Sequence, residues 1–280
     1  MRKPIKRTVF LALFTLLFAH ATLAQSDVRI PFFWDPQHRL EKPDLGPLKV
    51  IRFLTEDDYP PFHYALPDGS LAGFNVDLAR AICDELKVQC TVQARRWDTL
   101  LDAMSDKSGD AVIASMAANQ QTRSRLDFTA PYYNTPARFL TLKASQLTDF
   151  RPESLKGKTI GVVGKSAHEA YLGTFFKAVK LKPYESFAGL VGGLKLGEMD
   201  AAFGDGIAFA QFLGTPAGSD CCAFRSGPFL DAKYFGEGIS IGVRKGDANL
   251  RKALDYALSK LAERGLYADL YLKHFPIGFY

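Results

Sequence analysis

From residue 48 to the C-terminus, short runs with strand patterning alternate with longer runs of helical period. The strand-like runs are 48–54 (LKVIRFL), 88–94 (VQCTVQA), 110–115 (DAVIAS), 138–143 (RFLTLK), 158–163 (KTIGVV), 200–204 (DAAFG) and 238–244 (GISIGVR). The helical runs are 74–87, 97–105, 167–180, 187–196, 206–213 and 249–264. In the last of these, Leu250, Ala253, Leu254, Ala257, Leu258 and Leu261 form one apolar stripe, and Gly265 stands where a helix stops. Alternation of this kind implies helices packed on mostly parallel sheets, an α/β architecture. The 280 residues give room for one large domain or two lobes.

The N-terminus has a different character. Arg2, Lys3, Lys6 and Arg7 precede an apolar run over residues 8–19, and small residues follow at Ala19, Ala21 and Ala24. This is the layout of a secretory signal peptide over residues 1–24. The run falls short of the ~20 apolar residues needed to span a bilayer. Cleavage after Ala21 or Ala24 is expected, and with no cysteine near either point, lipid attachment there is not expected. The leader also carries most of the basic excess: the formal charge is +5, and loss of residues 1–24 lowers it to +1. The charge is therefore no argument for a nucleic-acid partner. Residues 25–47 hold four prolines and the adjoining Phe32, Phe33 and Trp34, and read as an extended lead-in segment.

Export permits disulfides. Cys83 falls on the apolar face of the 74–87 helix, and Cys90 on the inward face of the 88–94 strand. Both thiols then meet at the seam of helix and sheet, which favours a Cys83–Cys90 bridge over two buried thiols. Cys221 and Cys222 are adjacent, closer than a relaxed bridge wants, and two free or buried thiols are expected there.

Ligands of open α/β sheets bind beyond the carboxyl ends of the strands. Strand 48–54 runs into Glu56, Asp57, Asp58 and Tyr59; strand 110–115 ends at Ser115, with Arg123 and Arg125 in the following loop. Strand 158–163 leads to Lys165, Ser166 and His168, and strand 200–204 to Asp205. Ser166–Glu169 has the Ser-x-x-Glu form of a capping box, so it is either a plain helix cap or an anion site. An arginine in the loop after a strand can grip a carboxylate with two hydrogen bonds. Asp205 can pair with an ammonium or cap the next helix. Tyr59, Phe62 and Trp97 can stack on a ligand or serve as core. Gly164-Lys165-Ser166 is not a phosphate loop, because Thr159 stands where that motif needs its first glycine. The five histidines and four cysteines show no metal-ligand spacing, no Gly-x-Ser-x-Gly elbow occurs, and Arg95-Arg96-Trp97 is isolated. No metal or cofactor is expected.

Four stretches, YPPFHYALPDGSLAGFNVDLARAICDEL, DAVIASMAANQQTRSRLDFTAPYY, DAAFGDGIAF and KYFGEGISIGVRKGD, resemble the periplasmic amino-acid-binding proteins of ABC importers (solute-binding protein family 3), nearest to the lysine/arginine/ornithine- and histidine-binding members. The resemblance covers roughly residues 48–280. It implies a type II periplasmic-binding-protein fold: two lobes, each a mixed sheet with flanking helices, joined by two hinge crossings. Lobe 1 would comprise 48–134 plus 236–280, and lobe 2 would comprise 135–235. The Cys-x6-Cys spacing of Cys83 and Cys90 is similar to the disulfide of the basic-amino-acid members.

The resemblance implies a ligand set of Glu56, Tyr59, Trp97, Ser115, Arg123, Ser166, His168 and Asp205. Tyr59 and Trp97 would sandwich the ligand side chain, and Glu56 would meet a basic one. Ser115 would help hold the ligand, and Arg123 and the Ser166 helix start would receive its α-carboxylate. His168 would line the pocket, and Asp205 would pair with the α-ammonium. An ungapped alignment puts Thr122, not Arg123, at the family's arginine position, while Ala117 and Ala167 stand where basic-amino-acid binders carry hydroxyls. The implied function is capture of a polar or basic amino acid, closure of the lobes, and delivery to an ABC permease by a periplasmic monomer with no nucleic-acid or enzymatic role. The alternative is an enzyme on the same scaffold, similar to the cyclohexadienyl dehydratases, with Glu56, Lys165 or His168 as acid or base.

Overall fold

The computed structural model describes residues 49–280, together with Leu40, Pro43, Asp44 and Gly46. The leader and nearly all of the 25–47 segment lie outside the described residues. β1 (Val50–Thr55) is followed by three short strands, β2 (Asp58–Tyr59), β3 (His63–Ala65) and β4 (Leu71–Ala72), which form a small antiparallel sheet of their own. Then come α1 (Phe74–Leu86), β5 (Gln89–Ala94), a 3-10 turn over Trp97–Thr99, α2 (Leu100–Ser105), β6 (Ala111–Val112), α3 (Gln120–Arg123) and β7 (Leu126–Phe128). The chain continues with β8 (Ala137–Leu142), β9 (Thr159–Val163), α4 (Ala167–Phe175), β10 (Lys180–Tyr184), α5 (Phe187–Lys195) and β11 (Ala201–Asp205). It closes with α6 (Gly206–Leu213), α7 (Pro216–Cys221), β12 (Cys222–Phe229), α8 (Ala232–Phe235), β13 (Gly242–Arg244), α9 (Ala248–Glu263) and α10 (Leu266–His274).

Two five-stranded mixed sheets result, ordered β5-β1-β6-β13-β7 and β10-β9-β11-β8-β12. In the first, β5, β1 and β6 are parallel, and β13 runs against β6 and β7. In the second, β10, β9 and β11 are parallel, and β8 runs against β11 and β12. The chain passes between the sheets twice, before β8 and again between β12 and β13. The two crossings lie side by side: the Ile239 N–H donates to the Tyr133 carbonyl (2.8 Å), and the Tyr132 N–H donates to the Ile239 carbonyl (2.8 Å). Gly238 makes this approach possible, since a Cβ there would stand 2.5 Å from Asn134 Oδ1 and its φ is +103°.

Each sheet has its own core. α1 buries Phe74, Leu78, Ala79, Ile82 and Leu86 against the α9 stripe Leu250, Ala253, Leu254, Ala257, Leu258 and Leu261. Every leucine so buried contributes about 2 kcal/mol. α1 starts at Gly73, where φ is +119° and a Cβ would lie 2.5 Å from the Phe62 carbonyl oxygen. Phe139, Phe203, Ile160, Val162 and Leu172 fill one face of the second sheet; Leu140, Leu190, Leu194, Ala202 and Phe209 fill the other.

Three sequence expectations are corrected. The helix expected over 167–180 ends at Phe175, and the run from Lys180 to Tyr184 is a strand on the sheet edge, where Pro183 is tolerated. Strands β7 and β12 and helix α10 arise where no element was expected. Cys221 and Cys222, expected as thiols, are bonded to each other across the junction of α7 and β12, as Cys83 and Cys90 are bonded across α1 and β5. The chain passes from helix to strand between the two neighbouring residues, and the bridge accommodates their 3.7 Å Cα separation.

Candidate functional site

The parallel strands of both sheets end where the candidate residues begin. Glu56 follows β1, Trp97 opens the turn after β5, Ser115 follows β6, Ser166 and His168 follow β9, and Asp205 is the last residue of β11. This is the edge at which open sheets bind ligands.

Beyond the first sheet, Glu56 lies against the Trp97 backbone N–H. Burial and then the charge of Asp58 raise its pKa, and that N–H only partly offsets them. Tyr59 lies nearly parallel to Phe62, with ring centroids 5.2 Å apart, and leaves 46% of its surface exposed; Trp97 leaves 50%. Two large aromatics open to solvent at a strand edge are surfaces for stacking rather than core. His63, beneath Tyr59 at 5.5 Å, is fully buried, and neither ring nitrogen has a hydrogen-bond partner among the described residues. Burial lowers its pKa, against the charge of Asp58 and the nearby carbonyls of Glu56 and Ala114. The sequence singled His63 out only as lacking metal spacing; its burial has no local signal in a Pro-Pro-Phe-His run.

Ser115 is fixed from behind. Its backbone is left-handed, at φ +54°, and its Oγ accepts the Asn75 amide N–H (3.0 Å). Asn75 is buried in α1 and accepts in turn from the Tyr132 hydroxyl (2.9 Å). A non-glycine residue holds such a conformation only when its surroundings impose it.

Beyond the second sheet, Ser166 caps α4. Its Oγ donates to the Val163 carbonyl (2.6 Å) and accepts the Glu169 N–H (3.2 Å), while Glu169 Oε2 accepts the Lys165 N–H (2.6 Å). Asp205 caps α6 through Oδ1 alone, which accepts from Ile207 N (2.8 Å) and Ala208 N (2.9 Å). Oδ2 carries no hydrogen bond among the described residues. His168 stacks on Phe235 at 5.2 Å; burial lowers its pKa, and the Asp205 charge opposes this. The same Asp205 charge, after burial, raises the phenol of Tyr59. Asp205 is therefore within electrostatic range of a group beyond the first sheet and a group beyond the second.

Arg123 belongs to the short helix that follows Ser115. It ends α3, just before β7, the edge strand of the first sheet. Its Nε donates to the Ala118 carbonyl (3.1 Å), its guanidinium pairs with Glu237 (3.0 Å), and its own carbonyl accepts from Lys245 Nζ (2.7 Å). Thr122 is buried, and its hydroxyl is spent within its own turn, donating to the Ala117 carbonyl (2.8 Å) and accepting the Asn119 N–H (3.0 Å).

The model of the bacterial extracellular solute-binding proteins, family 3, matches residues 51–277. The chain belongs to this family. It is 37% identical to the L-arginine-binding protein of Pseudomonas aeruginosa over 86% of this chain and 93% of that one. It is 33% identical to the lysine/arginine/ornithine-binding periplasmic protein of Escherichia coli, over 83% and 90%. Its fold is that of the L-cystine solute receptor of Neisseria gonorrhoeae, with a TM-score of 0.71 at 19% identity over 82% of this chain and 94% of that one. The two sheets of this solute-binding protein are thus the two lobes of a type II periplasmic-binding-protein fold, and each relative named here is a binding protein or receptor.

Proposed function

We propose that this family 3 protein captures a basic amino acid between its two lobes and delivers it to the permease of an ABC importer. Lobe 1 comprises residues 48–134 and 236–280, and lobe 2 residues 135–235. The chain is exported through residues 1–24, carries no lipid anchor, and acts as a periplasmic monomer without turnover. Glu56 meets the cationic side chain, which lies between Tyr59 and Trp97. Ser115, Ser166 and His168 line the cleft, and Asp205 pairs with the α-ammonium. The observation that carries this reading is Asp205: one carboxylate oxygen is used to cap α6, the other carries no hydrogen bond among the described residues, and its charge is felt by Tyr59 of one wall and His168 of the other. The names of the relatives, which bind arginine, lysine and ornithine, support the basic class.

Thermal unfolding of ligand-stripped protein against the amino acids tests it. A ligand at 100 times its dissociation constant adds about 2.7 kcal/mol of stability. Arginine, lysine or ornithine is expected to raise the melting temperature. Asp205→Asn retains an oxygen to cap α6 and removes the charge, so affinity should fall on the order of a hundredfold while the ligand-free melting temperature stays within a few degrees. No shift with any amino acid would sink the reading.

A further inference from the structure

His63 is a buried polar side chain at the base of the first wall. It lies in β3, directly opposite Tyr59 of β2, and is fully buried. Neither ring nitrogen has a hydrogen-bond partner among the described residues. Buried polar side chains are almost always bonded, because an unmade bond in the interior leaves the cost of desolvation uncompensated. What surrounds His63 is the support of the ligand set. Its ring lies 5.5 Å from that of Tyr59. The carbonyls of Glu56 and Ala114 stand near it, and they belong to the ends of two neighbouring strands. β1 and β6 pair in parallel through Phe53–Ala111 and Leu54–Val112, and the Thr55 hydroxyl donates to the Ile113 carbonyl (2.8 Å). The same register places Glu56 opposite Ala114. The Ala114 carbonyl in turn belongs to the peptide that joins Ser115, whose backbone is left-handed. One imidazole thus lies against the ring of Tyr59, the backbone of Glu56 and the peptide that carries Ser115. Burial lowers its pKa, so the ring is neutral at pH 7 and has one N–H to give.

We propose that His63 is a positioning residue for ligand capture: its ring N–H donates to the Glu56 or the Ala114 carbonyl when a ligand engages Glu56 and Ser115 and draws the two strand ends into place. The assignment rests on the proposed ligand contacts of Glu56, Tyr59 and Ser115. Burial beneath Tyr59 keeps His63 from touching the ligand, so it acts through these three. The bond gained on binding adds to affinity, and the ring without it lowers stability until then. A histidine that only filled the core would behave differently: its loss would cost stability, and a donor in its place would rescue nothing.

The test combines titration calorimetry with L-arginine and thermal unfolding without it, on the exported, ligand-stripped parent, His63→Leu and His63→Gln. His63→Leu puts an apolar side chain where the unbonded ring stands. Its melting temperature is expected at or above that of the parent, with arginine bound about tenfold more weakly. His63→Gln restores an N–H donor and is expected to bind arginine within about threefold of the parent. In the parent, with histidine labelled by nitrogen-15, the His63 ring N–H resonance is expected to move downfield on saturation with L-arginine, which needs no variant to fold. An arginine affinity of His63→Leu within threefold of the parent overturns the proposal and leaves the amino-acid reading standing. So does a ring resonance that arginine does not move, or a loss of both stability and affinity that glutamine fails to rescue. A parent that binds neither arginine, lysine nor ornithine overturns both.

Discussion

The two sheets share one strand order and differ in what they bury. Each places its second, first and third strands in parallel, then an antiparallel strand that arrives from a crossing, then a fourth strand: β5-β1-β6-β13-β7 and β10-β9-β11-β8-β12. The common topology puts the carboxyl ends of β1, β6, β9 and β11 on one cleft. The chemistry inside diverges. On the side of the first sheet, the buried charges are the carboxylates Asp110 and Asp255; on the second, the buried charge is the guanidinium of Arg138. Asp110 is held by Arg52 and Arg244, and despite burial these hydrogen bonds keep its carboxyl below the usual range. Arg138 has no carboxylate partner among the described residues. It donates to the carbonyls of Ser226 (2.9 Å) and Phe279 (3.2 Å) and lies over the Phe224 ring. The comparison teaches that strand order sets where the ligand edge lies, whereas the charges within each unit are free to vary so long as each is paired or hydrogen-bonded.

Asp255 offers the largest break in that comparison. It lies in α9, accepts the Ala130 N–H (2.8 Å) and pairs with Arg251 (3.0 Å), yet burial outweighs both and pushes its pKa up to about 6. A carboxyl whose folded pKa exceeds its unfolded value takes up a proton on folding. Its contribution is therefore full below about pH 4 and is lost as pH rises to about 6, a change of about 3 kcal/mol. Asp255→Asn, which keeps an oxygen for Ala130, should abolish this slope. Urea unfolding at pH 4, 5, 6 and 7 measures it: the variant should gain on the parent by about 3 kcal/mol across the window. Equal slopes would mean that Arg251 holds the charge fully.

The disulfides sharpen the comparison at smaller scale. Cys83–Cys90, with a sequence separation of 7, ties α1 to an edge strand of the first sheet. Its removal from the unfolded-chain constraint costs about 2.5 kcal/mol. Cys221–Cys222 joins neighbours and closes almost no loop, so its removal costs about 1 kcal/mol. Chemical denaturation of the two double serine variants gives the ranking directly. A larger loss at Cys221–Cys222 would show that it holds the α7–β12 junction rather than the chain ensemble.

Much of this was legible before the structure. Strand and helix periods located most of the parallel strands and the helices that cover them, because buried faces impose apolar patterns. Looking beyond strand ends then singled out Glu56, Tyr59, Ser115, Ser166 and Asp205, which the structure places at the carboxyl ends of β1, β6, β9 and β11. What escaped has local causes. β10 (KLKPY) follows a helix without a break in apolar content, and its proline argued against a strand until its edge position was known. β12 carries Gly227 and Pro228 and shifts register against β8 twice, so it has no clean alternation. The burial of His63 depends on α1 and the first sheet closing over it, which no neighbouring residue announces. The direction of Arg123 was not readable at all, since Thr122 and Arg123 are neighbours in α3 that face about 100° apart around the helix, and only the structure shows which way each faces.

Arg123 is accordingly the site of the smallest expected effect. The Arg123 side chain is 50% exposed and that of Glu237 67%. An exposed pair of this kind contributes about 0–1 kcal/mol and is screened by salt. The contact with the Ala118 carbonyl adds one neutral-acceptor hydrogen bond. Arg123→Ala should therefore lower stability by less than about 1 kcal/mol and change arginine affinity by less than about threefold. The ion pair is too weak to restrain the side chain by itself; the small expected effect rests on the path of α3, which leads into the edge strand β7. A hundredfold loss of affinity, matching that expected for Asp205→Asn, would mean that the first wall rearranges on closure and that the two walls read opposite charges after all.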